Sequence, residues 1–174
     1  TLSIAQLAKI EIILPDSNIV FTKDSTQKVI FGKNFRQRIE RRKGEFIVRN
    51  PREIYIKGKK ITYKPYVPTI DEVNSFDFLL LNHVSSAPDS LVTKNEKDHI
   101  KNKYTNYTFQ YLGYIDKNGD VIIHINCLIR NSELIEERWK ESLIIMNDGG
   151  PNYFNIKYNK TKKLFFDLYI NGKA

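Results

Sequence analysis

Tyr107-Thr108-Phe109-Gln110-Tyr111-Leu112-Gly113-Tyr114-Ile115, then Asp116-Lys117-Asn118-Gly119-Asp120, then Val121-Ile122-Ile123-His124-Ile125-Asn126-Cys127-Leu128-Ile129, is the stretch that decides the fold. Two runs rich in β-branched and aromatic residues flank a polar break, the pattern of two strands joined by a turn. The Asn-Gly centre of the break is the preferred dipeptide of a type I′ hairpin, because both central residues of that turn need positive φ. Alternation along the second run puts Val121, Ile123, Ile125, Cys127 and Ile129 on one face, which reads as core. Ile122, His124, Asn126 and Leu128 take the other, which reads as a half-exposed sheet face.

Downstream, Lys140 to Asn147 is apolar and reads as a further short strand, stopped by Asp148-Gly149-Gly150-Pro151. Tyr153 to Tyr158 and Leu164 to Ile170 follow, joined by Asn159-Lys160-Thr161-Lys162-Lys163, and with the two runs of the hairpin they complete a four-stranded antiparallel meander. Upstream, Thr69-Ile70-Asp71-Glu72 is a capping box: the Thr69 hydroxyl can accept a free amide while Glu72 reaches back. Val73, Phe76, Leu80 and Val84 then recur at helical spacing, which predicts an amphipathic helix over 70–84. Residues 88–106 are polar, a surface connection with room for one short helix. The first 66 residues read as short strands: 9–14, 18–22, 28–31, 45–48, and a hairpin of 53–56 with 60–64. The expectation is one α+β domain over 1–174, with 1–66 a basic, β-rich half and 67–174 the helix and meander. A curved antiparallel sheet packs on one main helix, cystatin-like or NTF2-like by analogy, and the N-terminal strands extend the same sheet.

The chain has 174 residues, 41% hydrophobic and 28% charged, which is ordinary globular composition and opposes disorder. Its longest apolar runs are a few residues, against the ~20 that a spanning helix needs. Cys127 is the single cysteine, so no intrachain disulfide can form and a zinc site built on several cysteines of one chain is excluded. Thr1 opens the chain, and a removed signal peptide or a lipid anchor ahead of it is one reading, a truncated chain the other. The net charge of +8 is uneven. Residues 1–65 hold 15 basic and 6 acidic side chains, a balance of +9, and residues 66–174 hold 13 and 14, a balance of −1. Such asymmetry points to an anionic partner, a protein or a glycan. Lys33, Arg36, Arg38, Arg41, Arg42 and Lys43 form its densest cluster and are the candidate binding residues. Phe35 is the one aromatic among them and no nucleic-acid motif accompanies them, so nucleic acid is disfavoured.

Motifs for chemistry are sparse. Asp116-x-Asn118-Gly119-Asp120 lacks the Gly and Glu positions of a calcium loop. Asp148-Gly149-Gly150 lacks the Lys-Ser/Thr and the helix of a phosphate cradle. His83, His99 and His124 show no metal-ligand spacing, so no metal and no cofactor is expected. His124 and Asn126 share a strand face on which Tyr111, Asp167 and Tyr169 of neighbouring strands could join them. A His beside an Asp and a Tyr in a pocket can act as acid or base.

Gly113-Tyr114-Ile115, Asn118-Gly119-Asp120, Ile125-Asn126-Cys127, Trp139-Lys140, Asp148-Gly149-Gly150, Tyr153-Phe154-Asn155 with Lys157, and Asp167-Leu168 running to Asn171-Gly172-Lys173-Ala174 carry a resemblance. Over residues 69–174 the chain resembles an uncharacterised family of Bacteroidota proteins, often with signal or lipoprotein leaders. The resemblance implies an α+β fold and an extracytoplasmic setting, periplasm or cell surface, and brings no catalytic residues. The function expected is therefore a non-enzymatic binding protein acting through an exposed sheet face or the basic N-terminal half. A pocket enzyme or small-molecule binder with His124 as acid or base, and a toxin-immunity protein, are the alternatives.

Overall fold

A computed structural model of the chain describes residues 9–12, 18–35, 52–56, 59–130, 138–146 and 148–172. The hairpin that decides the fold is present as β7 (Tyr107–Ile115) and β8 (Val121–Ile129), paired along their whole length from Tyr107 opposite Ile129 to Ile115 opposite Val121. β9 (Gly150–Asn159) and β10 (Leu164–Asn171) complete the antiparallel meander. On the far side of β7 lie β1 (Lys9–Ile12), β2 (Ile19–Lys23) and β3 (Thr26–Ile30), so the N-terminal strands do extend the sheet. The basic stretch at 36–43 and the strand expected at 45–48 lie outside the described residues, Lys33 excepted.

One pairing departs from the all-antiparallel expectation. β3 runs parallel to β7, with Gln27 opposite Thr108 and Ile30 opposite Tyr111, so the sheet is mixed. A parallel pair needs a long crossover, and here the chain between the two strands carries both helices. β3 covers only the first half of that edge of β7; β6 (Lys64–Tyr66) pairs antiparallel with the second half, from Gly113 to Ile115. The notch between them is filled by Arg52, 3% exposed, whose Nε donates to Gly113 O at 2.9 Å and Nη1 to Gly32 O at 2.9 Å, with Nη2 reaching Tyr66 O at 3.4 Å. One guanidinium thus satisfies carbonyls that two strand ends leave open. β4 (Glu53–Ile56) and β5 (Lys59–Thr62) form the expected hairpin as a separate two-stranded sheet.

Helix α1 (Ile70–Ser86) starts with the capping box read from Thr69 and Glu72, both arms made. It buries Val73, Phe76, Leu80 and Val84 against the first face of the sheet, where Phe21, Ile30, Phe109, Tyr111, Ile123, Ile125 and Cys127 gather. Helix α2 (Lys94–Asn102) carries a second capping box, Thr93 with Glu96, and adds Ile100 to the same core. The turns differ from expectation. Between β7 and β8 only Gly119 has positive φ, and Gly119 N donates to Asp116 O at 3.1 Å while the Asp116 carboxylate accepts from the amides of Asn118 and Asp120. That is a type I turn followed by a left-handed glycine, selected by the Asp116 side chain. The two-residue turn with both φ positive lies between β2 and β3, at Asp24 (48°) and Ser25 (66°).

The second sheet face is covered as well. Residues 140–146 form no strand; they lie across that face and bring Trp139 and Leu143 onto Val20, Val29, Phe31, Leu112, Leu128 and Tyr153. β7 is buried along both faces up to its last residue, which corrects the half-exposed face expected from alternation.

Candidate functional site

His124 lies opposite Leu112 on β7 and Lys157 on β9. Its Nδ1 is enclosed without a hydrogen-bond partner among the described residues. Burial first, and the Lys157 ammonium second, lower its pKa to about 3, so near neutrality the imidazole is uncharged and the imidazolium acid is not populated. The partners expected around it do not assemble. Tyr111 pairs with Ile125 and therefore points to the opposite face, into the first core, where burial raises its hydroxyl pKa. Asp167 turns to Lys157, Oδ2 to Nζ 2.8 Å, from a position of positive φ (51°) where the β9–β10 register shifts. Tyr169 shares the His124 face but is 58% exposed. Among the described residues, therefore, Tyr111 and Asp167 do not join His124, and Tyr169 shares its face from an exposed position.

Asn126 is 6% exposed and has another role. Its Nδ2 donates to Gln110 Oε1 at 2.8 Å and to Ile144 O at 2.6 Å, while Gln110 Nε2 donates to the carbonyls of Trp139 and Ser142, both at 2.7 Å. Gln110 Oε1 also accepts from Ile144 N at 2.9 Å. Asn18 holds Lys140 O at 2.6 Å and Asn171 holds Met146 O at 2.7 Å. Four carboxamides spread across the sheet thus pin the 139–146 backbone, giving it the hydrogen bonds that a strand would have found in a ladder.

The pinned segment creates the concavity. A cavity of about 250 Å³ is lined by Gln27, Arg130, Trp139 and Lys140. Trp139 is 3% exposed and forms a fixed apolar wall, with the Lys140 ammonium 5.9 Å from its ring centre. Arg130 is positioned by its Nη2, which donates to Thr105 O at 3.1 Å and Ser25 O at 3.3 Å. Its Nε and Nη1 make no hydrogen bond among the described residues. Beside Gln27 in the parallel register stands Thr108, fully buried, whose Oγ1 has no hydrogen-bond partner among the described residues. Two cations, an indole and the Gln27 carboxamide therefore line this cavity at one end of the sheet. Sequence reasoning missed this place because Gln27 is remote in the chain from Arg130, Trp139 and Lys140.

The remaining chemistry-bearing groups hold the fold together. Lys28, fully buried, meets Asp77 Oδ2 at 2.6 Å, and Tyr104 donates to Asp77 Oδ1 at 2.9 Å. Burial lowers the Lys28 pKa against the opposing pull of Asp77. Cys127 is buried and burial pushes its thiol well up, which keeps it from being a nucleophile. Among the described residues no three His, Cys, Asp or Glu side chains gather to hold a metal, and no helix is long and apolar enough to cross a membrane. Of the basic cluster, Lys33 is exposed beside the notch of Arg52, and Arg36, Arg38, Arg41, Arg42 and Lys43 lie outside the described residues. Comparison with protein-family models, with curated proteins and with solved structures found no match.

Proposed function

We propose that this chain is a non-enzymatic binding protein that captures an anionic partner, acting in the periplasm or at the surface of a bacterium. The observation that carries the reading is the pairing of Arg130 with Lys140 around the cavity walled by Trp139. The excess of positive charge, +8 over the whole chain, supports it by drawing anions to the surface. The reading is also supported by the enclosure of His124 and Cys127 and by the ion pair that occupies Lys28 and Asp77. Capture needs a positive, shaped surface rather than an activated nucleophile, and the described residues offer the former.

Retention on alginate-coated beads, a polymeric carboxylate, tests it against neutral dextran beads. Retention on alginate is expected, released as NaCl rises to about 0.5 M because screening shortens the reach of surface charge. Equal retention on dextran, or indifference to salt, would sink the reading.

A further inference from the structure

β4 and β5 form a sheet of their own, and a hairpin of two strands is marginal in water unless something covers one of its faces. The body of the protein holds the open end. Tyr63 N donates to Arg52 O at 2.7 Å, which continues the register; Arg52 is buried in the notch of the main sheet, and the Tyr63 ring stacks on Tyr114 at 5.1 Å. Residues directly opposite share a face, so the register sorts this ribbon into two sides. Ile54 opposite Ile61 and Ile56 opposite Lys59 form one, the side of Arg52 and Tyr63; Glu53 opposite Thr62 and Tyr55 opposite Lys60 form the other. The first side begins on the body, but Ile61 belongs to neither core and is 39% exposed. Residues 53–64 also hold four lysines, Lys57, Lys59, Lys60 and Lys64, against one acid, Glu53.

Whatever covers the isoleucine side is therefore anionic and accepts a small apolar strip. Four residues at about 3.3 Å each, over two strands, give a strip of about 13 by 10 Å, or about 130 Å². Each partner of a stable protein complex buries ~800 Å². A second copy would in addition bring together two chains of charge +8. A bilayer sets no such threshold: a few apolar side chains enter the boundary between headgroups and acyl chains, and each lysine near an anionic surface adds its own attraction. From this we infer that the β4–β5 ribbon docks on an anionic lipid surface, the side of Ile54, Ile56 and Ile61 toward the acyl boundary and Lys59, Lys60 and Lys64 at the level of the headgroups. The ribbon is tied to Gly113 and Tyr114, at the opposite end of β7 from Thr108 and Gln27. The inference thus goes beyond anion capture at the cavity and uses none of its residues.

Co-sedimentation of the intact chain with phosphatidylcholine vesicles containing about 30% phosphatidylglycerol measures the docking. Binding is expected there, and about a hundredfold less on phosphatidylcholine alone. Lys59→Gln with Lys60→Gln should weaken it about thirtyfold, whereas Lys101→Gln with Lys103→Gln, an equal loss of charge at the end of α2, should change it by less than about threefold. Ile61→Ser should weaken it about tenfold. Ile61→Trp sets an indole at the exposed position while Trp139 stays buried, and the emission should shift to the blue on phosphatidylglycerol vesicles. The thermal midpoint checks that each variant is folded. Equal weakening by the two lysine pairs would trace the binding to overall charge and overturn the inference, as would an affinity unchanged by Ile61→Ser or an unmoved emission in Ile61→Trp. Binding to polyglutamate but to neither vesicle would hand the ribbon to an acidic protein and overturn it too. Retention on alginate without vesicle binding rejects the ribbon alone, and vesicle binding without retention on alginate rejects the cavity reading alone.

Discussion

His124 carries a pH dependence whose sign follows from its surroundings. The imidazole pKa stands at about 3 in the folded chain against 6.5 ordinarily, so between those values the unfolded chain binds a proton that the folded chain refuses. Stability is therefore full above pH 6.5 and falls as the pH drops toward 3. The residue is partly exposed, which discounts the effect to roughly 2–4 kcal/mol. In His124→Leu, with an apolar side chain between Leu112 and Lys157, urea unfolding should show a shallower loss between pH 6.5 and 4 than in the parent; parallel curves would refute the assignment. Alternation already places His124 and Asn126 on one face of β8. What covers that face was not legible, because the cover is a segment whose hydropathy reads as a strand. Only the carboxamides of Asn18, Gln110, Asn126 and Asn171 convert it into a pinned loop, and nothing in their local sequence announces it.

Among the elements, the shared edge of β7 is the most demanding. β6 approaches so closely at Gly113 that a Cβ there would stand 2.5 Å from Tyr66 O and 3.2 Å from Pro68 Cδ. Gly113→Ala should push β6 off its half of the edge and disturb the Arg52 contact with Gly113 O, at a cost of about 2–3 kcal/mol. The urea midpoint measures the loss, and faster amide exchange in β6 locates it; an unchanged midpoint would show that the edge can yield. The strands and α1 were readable because hydrophobic period and caps are local signals, as Thr69 with Glu72 shows. The parallel partner of β7 was not, since no feature of 26–30 distinguishes an antiparallel from a parallel neighbour. The candidate site follows suit: Trp139-Lys140 is visible in sequence, but Gln27 reaches it only through that parallel register.

At the level of the whole molecule, the two cores depend on partners remote in the chain. Gln27 waits for Thr108, and Lys28 reaches Asp77 through the first core. Contacts of such separation slow folding, because the connecting loop must be ordered before they form. A chain ending at Asn106 keeps β1–β3 and both helices but lacks the strand on which they pack. It should melt without a cooperative transition, whereas the full chain melts in one. Circular dichroism on heating distinguishes them, and a cooperative melt of the shorter chain would contradict this dependence.

Protein synthesis turns that dependence into a matter of timing. A ribosome adding 5–20 residues per second leaves β3 without its neighbour for about 80 residues, or on the order of 4–16 s. Through that interval Val29, Ile30 and Phe31, all buried at the end, have β2 on one side and lack β7 on the other. The nascent chain is thus a natural client for a chaperone until the hairpin of β7 and β8 emerges. Assembly then proceeds backwards, from the later strands to the earlier.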